Sequence, residues 1–548
     1  MKYFFSVILL ALVAASVVTR ISSPEVESEI PVLYWTTDPN PARRLQVATF
    51  HDWLEREHGD DLERRYGFRR FELRLDTGNR GLDKQLIQGV SGVAGDLMDI
   101  WSGNGDIAYL HQVGMLRDIT EPARARGFSH HDSWASMAYD LTVEGEGGRR
   151  IQVAYPANVT IRMYFINEAT FRRHGKPLPP ERWTVSEFER RGREFVSDPA
   201  VNPPGRRQQV FFADTVDHHA LRRSLGVSMF NETLTWCTLD DPRNAQVLRT
   251  IYDWTYVDRI LPSAADRQAF AAEGGLGGAG PQLFRHGNYA MFQGGRYMLI
   301  TLRSFYELDG PIEMRVAEPP HFDGGMPNTG TGTRAVSLYL GARDRVWTSP
   351  TTGATVSHEE LGLYFLEYLA SADYNLQLVE DADALPPNPT YAEGEAWDRP
   401  PRFPNEWSVH PAFREGAHHL AIGNDFSPFV AFTLANRADW QSLEKVMSRL
   451  ASPERAAREA AEQVNAEIRR TLDEQPHLRE EHTRRLEAQA RIERLREAGV
   501  PIPLSWIRNP FHKRHYLFRG WAWDDADAPV PETASDEELR SLAPAEET

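Results

Sequence analysis

The segment from residue 95 to residue 106, GDLMDIWSGNGD, constrains the fold more than any other part of the chain. It predicts a short apolar strand over Leu97–Trp101, a loop with free backbone donors, and a helix with Asp106 as its N-cap. In an open α/β sheet such a loop lies where strand ends leave a crevice, and the helix terminus adds unpaired N–H groups. The aromatic face of Trp101 beside small polar side chains suits polar neutral ligands with an apolar face, sugars above all. The alternative is an ordinary strand–loop–helix unit that binds nothing.

The segments that precede this unit have the same alternation of strand and helix. Residues 32–35 form a β-type run, followed by a turn cluster and a helical stretch over residues 43–58. Residues 71–75 alternate as a second strand before a helix over residues 81–90. These β-α-β-α units predict an α/β fold with a largely parallel sheet.

The later part of the chain is predicted to be mostly helical. Thr184 and Glu187 have the spacing of a capping box at the start of one helix. Further helices are predicted over residues 244–260, 357–371 and 438–450. Ser452-Pro453 begins a long charged helix that runs to about residue 474, and a second charged helix spans residues 477–498. Solvent-exposed outer helices fit this charge pattern better than a coiled coil does.

Composition narrows the class of protein. With 548 residues, 41% of them hydrophobic and 25% charged, the chain is long enough for two or more packed domains. Its net charge of -17 argues against a nucleic-acid partner, which normally meets a basic face. The only cysteine, Cys237, excludes an internal disulfide framework and a thiolate-rich metal site, and is expected to be buried filler.

The amino terminus has the pattern of an export segment. Lys2 precedes an apolar run over residues 3–18, and Ala14-Ala15-Ser16 offers small residues for cleavage. Residues 1–21 are therefore predicted to be a signal peptide or an uncleaved N-terminal membrane anchor. Either outcome predicts a periplasmic or otherwise extracytoplasmic protein, tethered to the membrane in the second case.

The order of motifs along the chain resembles one family. After the strand at residues 32–35 and the loop at residues 95–106, the resemblance rests on residues 154–158, 164–167, 183–188, 283–291, 294–297, 330–338, 385–387 and the Ser452-Pro-Glu helix. Together these motifs resemble the extracellular (periplasmic) solute-binding proteins of ABC importers, in the carbohydrate-binding group that includes maltose-binding protein. The resemblance covers roughly residues 31–475.

The resemblance implies an α/β fold of two lobes, the type II periplasmic-binding-protein fold, with a hinge between the lobes. The first lobe would hold residues 32–155 and 334–387, and the second would hold residues 156–333 and 388–475. The chain would cross between them near Pro156, Asn328 and Asn388. Residues 476–548 lie beyond the family pattern and are predicted to be a C-terminal extension, helical at first and disordered from Asp524 onward.

The resemblance also implies a function without chemistry. Such a protein is not an enzyme and needs no cofactor. It binds a carbohydrate, in particular an oligosaccharide, in the interlobe cleft, closes, and delivers the solute to an ABC permease in the membrane. A monomer is expected.

Candidate ligand-binding residues come from both lobes and from the crossing between them. They are Trp35, Thr36, Asp38, Trp101, Asn104, Asp106, Asn158, Gly295, Arg296 and Tyr297. Aromatic rings in this set would stack on sugar rings, and the short polar side chains would take hydroxyl groups. The glycine would permit close approach of the ligand.

Several of these residues have a structural alternative. Trp35 is either a stacking ring or a core residue, and Thr36 and Asp38 either bind ligand or form a turn. Asp106 is either a ligand contact or only a helix cap. Arg296 would pair with a carboxylate or phosphate of the solute, or form a surface ion pair.

Other functions stay open from the sequence alone. A solute such as glycerol phosphate or an acidic sugar would use Arg296 for charge recognition. A secreted glycoside hydrolase would use paired carboxylates, with Asp96, Asp99 and Asp106 as candidates, although their spacing is poor for two facing acids. A membrane-tethered sensor or scaffold would dock a partner through the aromatic tail around Trp521.

The histidine pairs are not predicted to form a metal site. Residues 130–131, 218–219 and 418–419 are adjacent histidines, and neighbouring side chains are not expected to point together from a regular helix or strand. No zinc-protease spacing accompanies them.

Overall fold

The structure is a computed structural model that describes residues 28–40, 42–79, 81–145, 149–271, 279–306 and 310–542. The predicted export segment, residues 1–21, lies outside the described residues. Within them, no helix combines the length and the apolar character that a membrane crossing requires.

Strands and helices alternate through the first half of the chain, and helices dominate the second half. The strands are β1 Val32–Thr36, β2 Glu72–Asp76, β3 Leu97–Trp101, β4 Thr142–Glu144, β5 Arg150–Gln152, β6 Tyr155–Ile161, β7 Met163–Asn167, β8 Phe211–Ala213, β9 Tyr289–Gly294, β10 Met314–Ala317, β11 Thr329–Leu338, β12 Val346–Thr348, β13 Thr355–Ser357, β14 Ala421–Ile422, β15 Ile502–Pro503 and β16 Ala522–Trp523. The helices are α1 Ala42–Tyr66, α2 Leu82–Val90, α3 Asp106–Gln112, α4 Thr120–Arg126, α5 Ala138–Leu141, α6 Glu168–Arg173, α7 Val185–Val196, α8 His218–Ser224, α9 Pro242–Tyr256, α10 Ala264–Ala271, α11 Ala279–His286, α12 Met298–Ser304, α13 His358–Ala370, α14 Ala372–Asp381, α15 Glu395–Asp398, α16 Val409–His419, α17 Phe432–Met447, α18 Pro453–Glu474, α19 Leu478–Glu497, α20 Pro510–Phe518 and α21 Asp536–Leu542.

Two sheets organise the fold. The larger sheet has the strand order β14-β11-β3-β1-β2, with β6 also paired to β11, and we call the part of the chain around it the first lobe. The smaller sheet has the order β10-β7-β9-β8 and forms the centre of the second lobe. This is the two-lobed α/β architecture expected from the sequence.

The expectation of a largely parallel sheet is confirmed for the β-α-β-α units on which it rests but not for the strands that join them later. β1 pairs in parallel with β2 and β3, and β11 pairs in parallel with β14, but β11 runs antiparallel to both β3 and β6. In the second lobe, β7 is antiparallel to β9 and β10. β11 reaches the first sheet by returning from the second lobe, not through a right-handed crossover within one sheet, so the parallel rule does not govern it.

Local signals in the sequence correspond to observed helix starts. The Thr184 hydroxyl accepts a hydrogen bond from the backbone N–H of Glu187, which confirms half of the capping box at α7. The Ser452 hydroxyl caps α18 in the same way, with Pro453 at the first helical position. The helix predicted over residues 43–58 is longer in the structure, because α1 continues to Tyr66.

Each lobe has its own aromatic core. In the first lobe, Trp35 and Phe50 pack on Phe365 with ring centroids 4.7 and 5.2 Å apart. In the second lobe, Phe188 packs on Trp254 with centroids 4.8 Å apart. Large rings bury much apolar surface, so each of these clusters stabilises its own lobe, and a third cluster, which includes Ile100 and Phe165, connects the two lobes.

The lobes are joined by the paired strands β6 and β11. The chain leaves the first sheet after Ile161 and enters the second sheet at Met163, with only Arg162 between. Val159 also forms an isolated bridge with Leu385, which brings a third stretch of chain to the same place. The lobe boundaries drawn from the sequence stay a prediction.

Residues 476–542 are mostly helical and pack against the rest of the molecule. Glu232, which lies between α8 and α9, accepts hydrogen bonds from Gln489 at 2.8 Å, Arg496 at 2.9 Å and Tyr516 at 2.5 Å. Order continues past Asp524, where disorder was expected to begin, because Asp525 accepts from Ser505 at 2.6 Å and α21 follows.

Candidate ligand-binding cleft

A cavity of about 400 Å³ opens between the lobes at the end of β3. The first lobe contributes the residues after β1, the end of β3 and the middle of β11, and the second lobe contributes the start of α12. The lining residues are Asp38, Asn40, Arg43, Asp99, Trp101, Asn158, Thr160, Tyr297, Ile300, Thr301, Arg334, Asp383 and Ala384. This volume is in the range of small-molecule sites.

Two exposed aromatic rings line this cavity from opposite lobes. Trp101 is the last residue of β3 and is 37% exposed, and Tyr297 precedes α12 and is 41% exposed. Large aromatic residues are usually buried, so two exposed rings that line one cavity indicate faces that are free to stack on a ligand.

Glycines leave the space that the two rings occupy, because a Cβ at these positions would collide with the rings. A Cβ at Gly103 would lie 2.6 Å from Nε1 of Trp101, and one at Gly332 would lie 3.0 Å from Cζ2 of the same ring. A Cβ at Gly295 would lie 2.3 Å from Oγ1 of Thr160 and 2.5 Å from Cε1 of Tyr297. The close approach at Gly295 is therefore to Tyr297 and to Thr160 of β6, and the approach of a ligand stays a prediction.

The polar wall of the cavity consists of paired charges. Nη1 of Arg334 lies 2.6 Å from Oδ2 of Asp99. Arg43 bridges two other carboxylates, with Nε 2.8 Å from Asp38 and Nη1 3.0 Å from Asp383. Charge-assisted pairs fix the direction of each carboxylate and guanidinium, and they leave lone pairs and N–H groups for hydroxyl groups of a guest.

Asp38 is held in its ionised form. Burial raises its pKa, but the hydrogen bond and the charge of Arg43 outweigh that effect, so the pKa is lower than usual. Asp99 also accepts a hydrogen bond from Nε1 of Trp35 at 2.7 Å and one from Thr37. The carboxylates of this wall are therefore acceptors for hydrogen bonds.

Asn158 links β6 to the charged wall of the cavity. Its side-chain amide donates to Oδ1 of Asp383 at 3.2 Å, and its side-chain oxygen accepts from the backbone N–H of Arg334 at 3.4 Å. Both sequence alternatives for Asn158 are therefore compatible with its place, because it ties the backbone and also lines the cavity.

A second cavity of about 260 Å³ continues the cleft on the other side of Trp101. Trp101 and Thr160 line both cavities, and Trp440 of α17 lines the second one with 44% of its surface exposed. Three exposed rings along one cleft offer stacking positions for more than one sugar unit. Trp440 carries no local sequence signal that distinguishes it from an outer-helix residue.

A polar cluster beside the second cavity contains adjacent histidines. Nε2 of His218 and Nδ1 of His219 lie 3.2 and 3.3 Å from Oδ2 of Asp439. The expectation that neighbouring histidines do not point together is wrong here, because both lie in the first turn of α8 and bend toward one carboxylate.

This cluster does not fit a metal ion. Nη1 and Nη2 of Arg222 lie 2.8 and 3.0 Å from the two carboxylate oxygens of Asp439, and Nη2 lies 2.9 Å from Nδ1 of His219. The guanidinium thus occupies the position in which a cation would bind these ligands. Burial, with the charge of His218, lowers the pKa of His219, which keeps its ring neutral.

Two of the predicted ligand contacts lie in the first-lobe core. Trp35 is fully buried, and its ring packs on Phe365, so the expectation that it stacks on a sugar is wrong. Thr36 is 1% exposed and lies outside both cavities. Successive strand residues point to opposite faces, and Trp35 points to the packed face of β1 while Tyr34, 44% exposed, points away.

The expectation for Arg296 is also wrong. Its guanidinium is buried and donates to the carbonyl oxygens of Val379 and Ala384, both at 2.7 Å. It also lies 4.1 Å from the ring centroid of Trp397. Burial lowers its pKa to about 9, and the side chain lines neither cavity of the cleft. Arg296 anchors the C-terminal end of α14 and does not face a ligand.

Two predicted contacts follow β3. Asn104 ends a 3₁₀ turn over Ser102–Asn104, and its side chain lies outside what the structure describes. Asp106 is the first residue of α3, and the N-cap position belongs to Gly105, whose φ of 70° suits glycine. The prediction that Asp106 is the cap is therefore wrong, and Asp106 does not line either cavity.

Comparison with known proteins identifies the fold. No family model and no curated protein matches the chain. Solved structures do match. An ABC substrate-binding protein from Listeria monocytogenes in complex with cycloalternan has 16% sequence identity and a TM-score of 0.60, over 79% of this chain and 97% of that chain.

Two further structures extend this result. The maltose/maltodextrin-binding domain from Bdellovibrio bacteriovorus bound to maltotriose has 14% identity and a TM-score of 0.57, over 80% of this chain and 100% of that chain. A Mycobacterium tuberculosis protein in complex with glycerophosphocholine has 13% identity and a TM-score of 0.58, over 81% and 99%. The chain has the fold of the ABC solute-binding proteins. The resemblance found in the sequence is confirmed at the level of the fold.

Proposed function

We propose that this protein is an extracytoplasmic receptor that binds a carbohydrate, in particular an oligosaccharide, between its lobes and delivers it to an ABC permease. The observation that carries the proposal is the shared cavity between the rings of Trp101 and Tyr297. One ring belongs to each lobe, so a sugar stacked on both would join the lobes.

The polar wall supports an uncharged guest. Arg43 and Arg334 are each paired with aspartates at 2.6–3.0 Å, so neither guanidinium lacks a counter-charge. An anionic solute would have to compete with those carboxylates, whereas hydroxyl groups can both donate to Asp99 and accept from Arg334. A solute recognised through Arg296 is no longer supported, because that side chain is buried away from the cleft.

A hydrolase fits the carboxylates less well than a receptor does. Asp96 is fully buried and bonded to Arg345 at 2.7 Å and to His358 at 3.0 Å, outside the cleft. Burial raises its pKa, but the bonds to His358 and Arg345 bring the net pKa below its usual value. A general acid needs a raised pKa, and Asp38 in the cleft also has a lowered one.

A thermal-shift screen against neutral oligosaccharides, followed by calorimetry on each hit, tests the proposal. A ligand that binds only the folded state raises the melting temperature, so a receptor should show stabilisation and saturable binding. Chromatography of the recovered sugar then separates a receptor from a hydrolase. Stabilisation with unchanged sugar supports the proposal. Shortened sugar products, or no stabilisation by any sugar in a broad panel, would refute it.

A further inference from the structure

A third cavity, which we call the junction pocket, lies away from the cleft where the first lobe meets α20. Its volume is about 450 Å³. Its walls are α5 and β5 of the first lobe, the end of α16, β14 and the start of α20. The lining residues are His130, Ala135, Ser136, Ala138, Tyr139, Thr142, Arg150, Ala417, His418, Ala421, Ile422, Gly423, Pro510, Lys513 and Arg514.

The junction pocket is positively charged in an acidic protein. Arg150, Lys513 and Arg514 line it, and none of its lining residues is a carboxylate. The chain as a whole has a net charge of -17, so carboxylates outnumber cationic side chains in the rest of the molecule. Glu144 and Asp140 act on Arg150 from outside the pocket lining. Because the lining itself has cations and no carboxylate, it raises the local concentration of anions.

These cations bond to neutral groups or to none. Arg150 donates to Oγ1 of Thr142 at 2.7 Å and lies over the ring of Tyr139 at 4.1 Å. Arg514 donates to the carbonyl oxygen of Ala421 at 2.9 Å. Among the residues that the structure describes, the ammonium of Lys513 has neither a hydrogen bond nor an ion pair.

The surroundings of Lys513 disfavour its charged ammonium form when no anion is bound. Burial lowers its pKa first, and the positive charges of Arg508 and Arg150 lower it further. Asp525 and Asp524 oppose this shift less strongly, and Asp525 already accepts hydrogen bonds from Ser505. Holding like charges together costs free energy that a bound anion would recover.

Neutral donors add to the same pocket. The hydroxyl oxygen of Ser136 is buried and has no hydrogen-bond partner among the described residues, and Ser136 lines the pocket. Pro510 begins α20, so the N-terminal end of a nine-residue helix also faces this side. An unpartnered hydroxyl beside several cations is typical of a site that binds oxygen atoms of an anion.

We propose that the junction pocket binds a small organic anion through its carboxylate or phosphate oxygens. Arg150 belongs to the first lobe, whereas Lys513 and Arg514 belong to the C-terminal extension. A bound anion would therefore hold the extension to the first lobe. The pocket shares no residue with the cleft, so this site is independent of the proposed carbohydrate function.

Calorimetric titration of the purified protein with citrate and with inorganic phosphate, at constant ionic strength, tests the proposal. Saturable binding of either probe is expected. Lys513→Gln and Arg150→Gln should each weaken it at least tenfold. Arg519→Gln, at the C-cap of the same helix and outside the pocket, is the matched control and should leave it unchanged. No saturable binding, or equal losses in all three variants, would overturn the proposal.

A second variant guards against simple misfolding. Lys513→Glu would place a carboxylate beside Arg150 and Arg508 and should raise the melting temperature without any anion, while abolishing anion binding. A lower melting temperature for Lys513→Glu in anion-free buffer would mean that the cations do not repel one another, and would count against the proposal.

Discussion

Replacing Trp101 with alanine removes the ring that both cavities of the cleft share. Trp101 is 37% exposed, and a tryptophan of about 250 Å² therefore offers roughly 90 Å² of surface to a ligand. At about 25 cal/mol per Å², covering that surface contributes roughly 2 kcal/mol to binding. Since about 1.4 kcal/mol is a factor of ten in affinity, Trp101→Ala should weaken sugar binding about 30-fold.

Calorimetry with a saturating oligosaccharide measures this change. The matched control is Trp407→Ala, because Trp407 is 41% exposed, carries the same ring and lies outside the cleft. Its replacement should leave affinity unchanged. Trp101→Phe keeps an aromatic face and should recover most of the loss. Equal effects of the Trp101 and Trp407 alanine variants, or no loss with Trp101→Ala, would refute the stacking argument.

Other substitutions test the remaining parts of the argument. Gly295→Ala places a Cβ 2.5 Å from the Tyr297 ring and should weaken sugar binding about tenfold by displacing that ring, measured by calorimetry; unchanged affinity would contradict a ligand contact by Tyr297. Arg296→Met should lower the free energy of unfolding in urea by about 3 kcal/mol, because buried carbonyl oxygens lose their donors, with sugar affinity retained. Glu232 has a pKa of about 2, since His512, Tyr516 and its other partners outweigh burial, which alone would raise it. Its stabilisation is complete above pH 4.5 and is lost as pH falls toward 2, so Glu232→Gln should flatten the loss of unfolding free energy between pH 5 and pH 3 in urea titrations.

Local patterns in the sequence placed the main elements of the fold. The apolar run over Leu97–Trp101 is β3 in the structure, and the Ser452 and Thr184 caps begin the helices that they predicted. These signals are local, because a strand period and a cap need only neighbouring residues. Trp101 was found for the same reason, since it ends a strand just before a glycine-rich loop.

The charged wall of the cleft was not predictable from the sequence. Arg334 and Asp99 are 235 residues apart, and Arg43 and Asp383 are 340 residues apart. No local spacing connects such partners, because they meet only after β11 returns from the second lobe to pair with β3. Their pairing depends on the topology of the fold, which no short stretch of the sequence reveals.

Side-chain direction explains why the predictions for Trp35 and Arg296 are wrong. Trp35 follows Tyr34 in β1, and a difference of one residue decides between solvent and core. Arg296 precedes Tyr297 in the turn after β9, where one side chain enters the second-lobe interior and the next lines the cleft. In the second pair the sequence predicted both residues as ligand contacts, and only Tyr297 lines the cleft.

The C-terminal extension contacts both lobes, so a movement of one lobe against the other has to break some of these contacts. Glu232 and its bonds fix the extension to the second lobe, because its carboxylate is buried and fully paired. The contact to the first lobe includes the ion pair of Arg485 with Glu144 at 2.6 Å and a hydrogen bond from Tyr139 to the carbonyl oxygen of Arg508. A rotation that moves the first lobe away from the extension separates Arg485 from Glu144, whereas the bonds of Glu232 join the second lobe to the extension. Glu144 is 32% exposed and Arg485 keeps Glu481 as a partner, so breaking that pair costs about 1 kcal/mol. A restraint of this size biases the lobes toward one arrangement and still permits a ligand to shift it.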